Sequence, residues 1–173
     1  MLSIVVLVAV VVAAGCGGSE ESPQAKWARE FCGALSDWKD SLTTIGTDFG
    51  GGISKDVVSQ KLDDAEQATN DLVDELKQIG APETESGDEA KAELDQFAED
   101  AQSSVSTVRD QAQSLADASA TEFLAGVSAI AREISTLLDS ARSTLEQVQE
   151  LDPQGELSDA IQDDDTCQSL TQT

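Results

Sequence analysis

The spacing of apolar residues predicts an all-α domain. The expected form is an antiparallel up-down-up-down four-helix bundle with a short C-terminal helical turn, stapled by one disulfide. Three observations carry this. Four stretches place apolar side chains three and four residues apart, the period of one helix face. Nowhere do β-branched residues alternate at period two, as a half-buried strand requires. Cys32 and Cys167 fall at one end of the bundle once its helices are laid up and down.

The first helix carries Trp27, Phe31, Leu35, Trp38, Leu42 and Ile45 on one face and ends near Gly46, and Gly50-Gly51-Gly52 then makes a flexible turn. Ser54 is the expected N-cap of the second helix, with Ile53 before it and Val58 at the staple position. That helix is expected to bury Val58, Leu62, Ala65, Leu72 or Val73, Leu76 and Ile79. It stops at Gly80, in the left-handed C′ position, with Pro82 just after.

Ser86-Gly87-Asp88-Glu89 reads as a capping box opening the third helix, whose face is Leu94, Phe97, Ala101, Val105, Val108, Ala112 and Leu115. Ser119-Ala120-Thr121-Glu122 reads as a second box. It opens the longest period: Phe123, Val127, Ile130, Ile134, Leu137, Ala141, Leu145, Val148 and Leu151. Asp152-Pro153-Gln154-Gly155 ends that helix, a short turn covers Glu156 to Ile161, and the acidic run Asp163-Asp164-Asp165 precedes Cys167.

Ahead of the helices, an unbroken apolar run from Leu2 to Ala14 leads to Ala13-Ala14-Gly15-Cys16. The run is shorter than the roughly 20 residues that span a bilayer and has the length of a signal-peptide core. Small residues before a cysteine at that place resemble a bacterial lipobox, although Ala13 stands where such motifs usually carry Leu. The resemblance implies that Cys16 receives diacylglycerol and becomes the first residue after cleavage. Two acyl chains on one residue suffice for a stable anchor. The expected organisation is therefore 1–15 as lipoprotein signal peptide, 16–24 as flexible tether and 25–173 as the bundle domain. No Lys or Arg precedes the apolar run, so the n-region is expected to extend upstream of Met1.

With Cys16 lipidated, Cys32 and Cys167 are the remaining pair, outside the cell where disulfides persist. A Cys32–Cys167 bridge is expected. Metal coordination would need further Cys or His ligands, and the chain has three cysteines and no histidine. Neither a metal nor a cofactor is expected.

Ten Lys and Arg stand against 34 Asp and Glu, a net charge of −24. Nucleic acid is excluded as a partner, since phosphate binding runs on basic patches. Without histidine the chain lacks the commonest general base and any Ser-His or Cys-His nucleophile pair, so no catalytic residue is assigned. Carboxylate pairs such as Asp63-Asp64 and Glu99-Asp100 fall on exposed helix faces and read as solubility. Asp163-Asp164-Asp165 lacks the alternating ligands and glycine of a calcium loop and reads as a solvated acidic tail. Gly50-Gly51-Gly52 with Ser54-Lys55 lacks the order of a phosphate loop and reads as a turn. Trp27 and Trp38 lie eleven apart on one helix face and read as core rather than as a ligand platform.

The lipobox at Cys16, Trp27-x3-Phe31-Cys32-x2-Leu35, Gly80-Ala81-Pro82-x4-Gly87 and Cys167-x2-Leu170 together resemble the small secreted helical lipoproteins of actinobacteria, a group of unknown function. The resemblance implies a similar bundle on the outer face of the cell membrane and carries over no catalytic residue. The function expected is that of a non-enzymatic envelope lipoprotein. It would be held to the membrane by its lipid and bind a protein or another envelope component. A carrier of a small ligand or cation using a cavity between helices is the alternative; an accessible cavity lined by Trp27 and Trp38 would favour it and a filled core would oppose it. Cys16 lies close before the first helix, so that end of the bundle should face the membrane. The far end then carries the Gly46–Gly52 connection and the turn between Leu115 and Phe123. Phe49 in the first, and Leu124 just off the buried stripe after the second, are the candidate partner contacts; the other reading of Phe49 is that it folds back to cap the bundle.

Overall fold

The computed structural model describes residues 21–47, 54–115, 117–153 and 155–171. These residues form six helices and no strand: α1 Pro23–Thr47, α2 Lys55–Ile79, α3 Gly87–Ser114, α4 Ala120–Leu151, α5 Glu156–Asp163 and α6 Asp165–Thr171. Among them, no helix is long and apolar enough to cross a membrane.

α1 starts at Pro23, inside the stretch read as tether. Ser22 Oγ accepts the Ala25 N–H at 3.0 Å. Proline suits the first helical position, where its missing N–H would have been unpaired anyway. α2 opens on Ser54, whose backbone is extended and whose Oγ accepts the Val57 N–H at 3.3 Å. Asp56 in its first turn and Lys77 in its last complement the helix dipole. The helix closes on Gly80 at φ 70°, the one positive φ among the described residues. An L side chain would be strained there.

The start of α3 differs from expectation. Ser86 makes no side-chain cap; its backbone, at ψ 13°, is not extended as an N-cap requires. Its hydroxyl instead donates to the Leu151 carbonyl at 3.0 Å, satisfying one of the unpaired carbonyls at the end of α4. The tight turn from Pro82 imposes this. Gly87 donates to the Thr84 carbonyl at 3.1 Å, and a Cβ on Gly87 would lie 2.1 Å from the Pro82 oxygen. The box at α4 does form: Ser119 Oγ accepts the Glu122 N–H at 3.4 Å while Glu122 Oε2 accepts the Ser119 N–H at 3.0 Å.

The C-terminal region is more helical than the single turn expected. Asp152 Oδ2 accepts the Leu157 N–H at 3.3 Å, capping α5 from the preceding turn. Gly155 permits this approach, since a Cβ there would fall within about 2 Å of the Asp152 carboxylate. The acidic run is not simply a solvated tail. Asp164 separates α5 from α6, and its Oδ1 accepts the Thr166 and Cys167 N–H groups at 2.9 and 3.0 Å. Asp163 and Asp165 remain exposed.

Consecutive long helices lie side by side. Trp27 Nε1 at the start of α1 donates to the Gly80 carbonyl at the end of α2, at 3.0 Å. Asn70 meets Gln102 across α2 and α3 at 3.4 Å, and the Ser86–Leu151 bond ties the start of α3 to the end of α4. α1 then packs more against α5 and α6 than against α4. All six residues of the expected α1 face are buried, as are Leu62, Leu72, Leu94, Phe97, Ile130, Leu145 and Val148 from the other long helices. Leu157, Ile161 and Leu170 extend this core into α5 and α6. Ile79, Ala112, Leu115 and Leu151, at the ends of their stripes, are only partly buried.

Candidate functional site

The end that the sequence leads one to place at the membrane carries the disulfide. Cys32, in the third turn of α1, and Cys167, in the first turn of α6, form a disulfide with Cα atoms 5.1 Å apart, closing 135 residues. Both cysteines are buried. Gln24 Nε2 donates to the Glu83 carbonyl at 3.0 Å, tying α1 to the α2–α3 connection. Cys16 lies outside the described residues.

Trp27 and Trp38 do share a face, and that face is core. Trp27 meets Phe31 in a tilted pair with centroids 5.0 Å apart, and Trp38 meets Phe97 edge-on at 5.7 Å. Both indole N–H groups are taken inside the protein, by the Gly80 carbonyl and by Thr69 Oγ1. Trp38 borders a groove between α1 and α2, but Trp27 does not. The two rings line no common cavity among the described grooves.

The opposite end holds Ser54, the last turn of α3 and the first turn of α4. Lys55 Nζ donates to the Ala118 carbonyl at 3.4 Å, which holds the start of α2 to the α3–α4 turn. Arg109 on α3 bridges back to α2, 3.1 Å from Asp63 and also paired with Glu66. Between these ties lies a groove of about 380 Å³ floored by Val58, Leu62, Leu115 and Phe123. Leu115 reaches over α4 because residue 126 is glycine; a Cβ there would sit 2.4 Å from a Leu115 methyl. Beside Phe123, Leu124 is 56% exposed, the one large hydrophobic side chain left exposed among the described residues. Phe49 and Gly50-Gly51-Gly52 lie outside the described residues.

The titratable groups at this end are arranged for structure. Hydrogen bonds from the Ser119 hydroxyl and backbone hold the Glu122 carboxyl below its ordinary value, against a small opposing effect of burial. Asp63 and Asp64, paired with Arg109 and Lys61, are exposed, as are Glu99 and Asp100. No group of three or more His, Cys, Asp or Glu side chains among the described residues is placed to hold a metal ion. The geometry therefore offers an exposed leucine next in sequence to a groove-lining phenylalanine, at the end opposite the disulfide. The sequence pattern marks Leu124 but not the groove, which depends on the Gly126–Leu115 contact between α4 and the end of α3.

Comparison with known proteins returns no matching family model, no similar curated protein and no similar solved structure.

Proposed function

We propose that this protein is a non-enzymatic lipoprotein of the bacterial cell envelope, akin to the small helical actinobacterial lipoproteins its motifs resemble. Lipid on Cys16 holds it to the outer face of the membrane, and residues 16–24 act as the tether. The four long helices work as an up-down-up-down bundle, with α5 and α6 wedged against α1. The disulfide end faces the lipid, and the far end binds a protein or another envelope component.

The observation that carries this reading is Leu124. A lone exposed leucine is ordinary, but this one follows Phe123, which lines a groove of mixed apolar and charged residues, at the end where the tether would present it. The Cys32–Cys167 disulfide supports an oxidising location. The carrier alternative finds little support, since both tryptophans are buried and their indole donors are used internally.

A photo-crosslinking residue at Leu124, compared in intact cells with one at exposed Gln168 near the disulfide, tests the site. A partner captured from Leu124 and not from Gln168 supports it. Equal capture from both, or from neither, overturns it. The anchor is tested separately, by the mass of a diacylglyceryl group on an N-terminal Cys16; wild-type protein released unmodified into the medium would refute it.

A further inference from the structure

Charge is distributed unevenly along the bundle. The Trp27–Gly80, Gln24–Glu83 and Ser86–Leu151 bonds bring the start of α1, the α2–α3 turn and the end of α4 to one end, with α5 beside Ser22. Lys55 and Ala118 meet at the other end. With each long helix divided at its middle, the disulfide half comprises residues 21–35, 67–100, 136–153 and 155–171. It holds 22 Asp and Glu against 5 Lys and Arg. The far half, residues 36–47, 54–66, 101–115 and 117–135, holds 10 against 5.

All five cations of the disulfide half already sit beside acids, Lys26 beside Glu30 and Arg29 beside Glu21 nearest the tip. Each therefore carries its own counter-charge to any surface it meets. Among the described residues the one exposed large hydrophobic side chain, Leu124, belongs to the far half. The disulfide half thus meets a bilayer interface with surplus negative charge and without the apolar face by which interfacial helices bind.

We infer that repulsion from an anionic membrane surface holds the body upright and off that surface, at the reach of its tether. This rests on the lipid anchor at Cys16 proposed above. Anionic lipids set a negative potential that fades over about 10 Å at 0.1 M salt. The stretch from Cys16 to Pro23 reaches at most about 25 Å, which clears that layer. It is too short to let the body turn over, since α4 alone is 32 residues, or about 48 Å, long. Lying flat brings acids of both halves close to the lipid. Standing upright brings only the tip, and an extended tether withdraws even that. Leu124 is thereby presented outward.

Neutron reflectometry of the lipoprotein reconstituted in supported bilayers tests this. On phosphatidylglycerol-rich bilayers in about 0.01 M salt, the screening length is about 30 Å. The protein layer should then be about as thick as the bundle is long, above a water gap close to the tether's reach. At about 1 M salt, where screening acts within about 3 Å, or on phosphatidylcholine alone, the gap should shrink and the layer thin as the body tilts. Glu83→Gln/Glu85→Gln/Glu156→Gln, at exposed positions of the disulfide half, should narrow the gap in dilute salt. Asp40→Asn/Asp110→Asn/Asp117→Asn, exposed in the far half, should leave it as in wild type. A gap and thickness indifferent to salt and lipid charge overturn the inference, as does an equal response of the two triple variants. A native chain that does not insert refutes the anchor instead, and coupling Cys16 to a maleimide lipid then tests the stand-off by itself.

Discussion

Trp38 donates its indole N–H to Thr69 Oγ1 at 3.0 Å, and the Thr69 hydroxyl in turn donates to the Ala65 carbonyl at 2.9 Å. Both side chains are buried, at 2% and 1% exposure. The chain thus satisfies a donor that would otherwise be desolvated and unpaired. Together with the Trp27–Gly80 bond it sets the register of α1 against α2, which nonspecific apolar contact would leave loose.

Thr69→Val keeps the shape and removes the acceptor. It should cost about 1–3 kcal/mol, the penalty for a buried unsatisfied donor. Adding Trp38→Phe removes that donor, so the double variant should lose less than the two single changes together. Urea denaturation of all four proteins measures the coupling. Strictly additive losses would mean that the bond contributes nothing to stability.

Removing the bridge with Cys32→Ala and Cys167→Ala frees a loop of 135 residues. The chain-entropy model puts the loss at roughly 5 kcal/mol, an upper figure, since measured bridges often contribute less. Leu170 is then the one buried side chain left on α6, so its amides should lose hydrogen-exchange protection before those of the long helices. Peptide mapping without reductant checks the pairing itself; free thiols at both positions would refute it.

The long helices are legible in the sequence because each repeats its apolar mark over many turns. α6 offers only Cys167 and Leu170, too few residues for a period to be recognised. Asp164 was hidden by its own neighbours: in a run of three aspartates, charge suggests solvation, although aspartate is also a favoured N-cap. Thr69 breaks the apolar register of α2 between Ala65 and Leu72, a polar residue on a core face that itself signals a buried hydrogen bond. Ser86 and Ser119 carry the same Ser-x-x-Glu pattern, and only the second forms the box. The Pro82–Gly87 turn sets the backbone at Ser86, and turn geometry is not written in the four-residue pattern.

Glu122 gives the start of α4 a pH dependence. Its folded-state carboxyl is held below the ordinary value of 4.5 by its bonds to Ser119. A depressed pKa contributes stability above the unfolded value that is lost as pH falls through the folded one. Amides at the start of α4 should therefore keep their protection above pH 4.5 and lose it progressively below. Glu122→Ala should fray that turn at neutral pH and remove the acid step, read by NMR exchange at Phe123. An acid step retained in the variant would assign it to another group.

Net charge should make salt stabilising. Folding gathers a charge of −24 into one small domain, and self-repulsion opposes the compact state. Salt also weakens the ion pairs, but exposed pairs are worth only about 0.2–1 kcal/mol each, and unpaired acids far outnumber cations. Glu93 and Asp100 on α3 share a groove with Asp139 on α4, with no basic residue in its lining. Asp100→Asn should thus raise the thermal midpoint in dilute buffer. The gain should shrink near 0.1 M sodium chloride, where the screening length falls to about 10 Å. Melting curves of both proteins across that range decide the matter: a wild-type midpoint that falls with salt, or an Asp100→Asn gain indifferent to it, would show that repulsion across this groove does not limit stability.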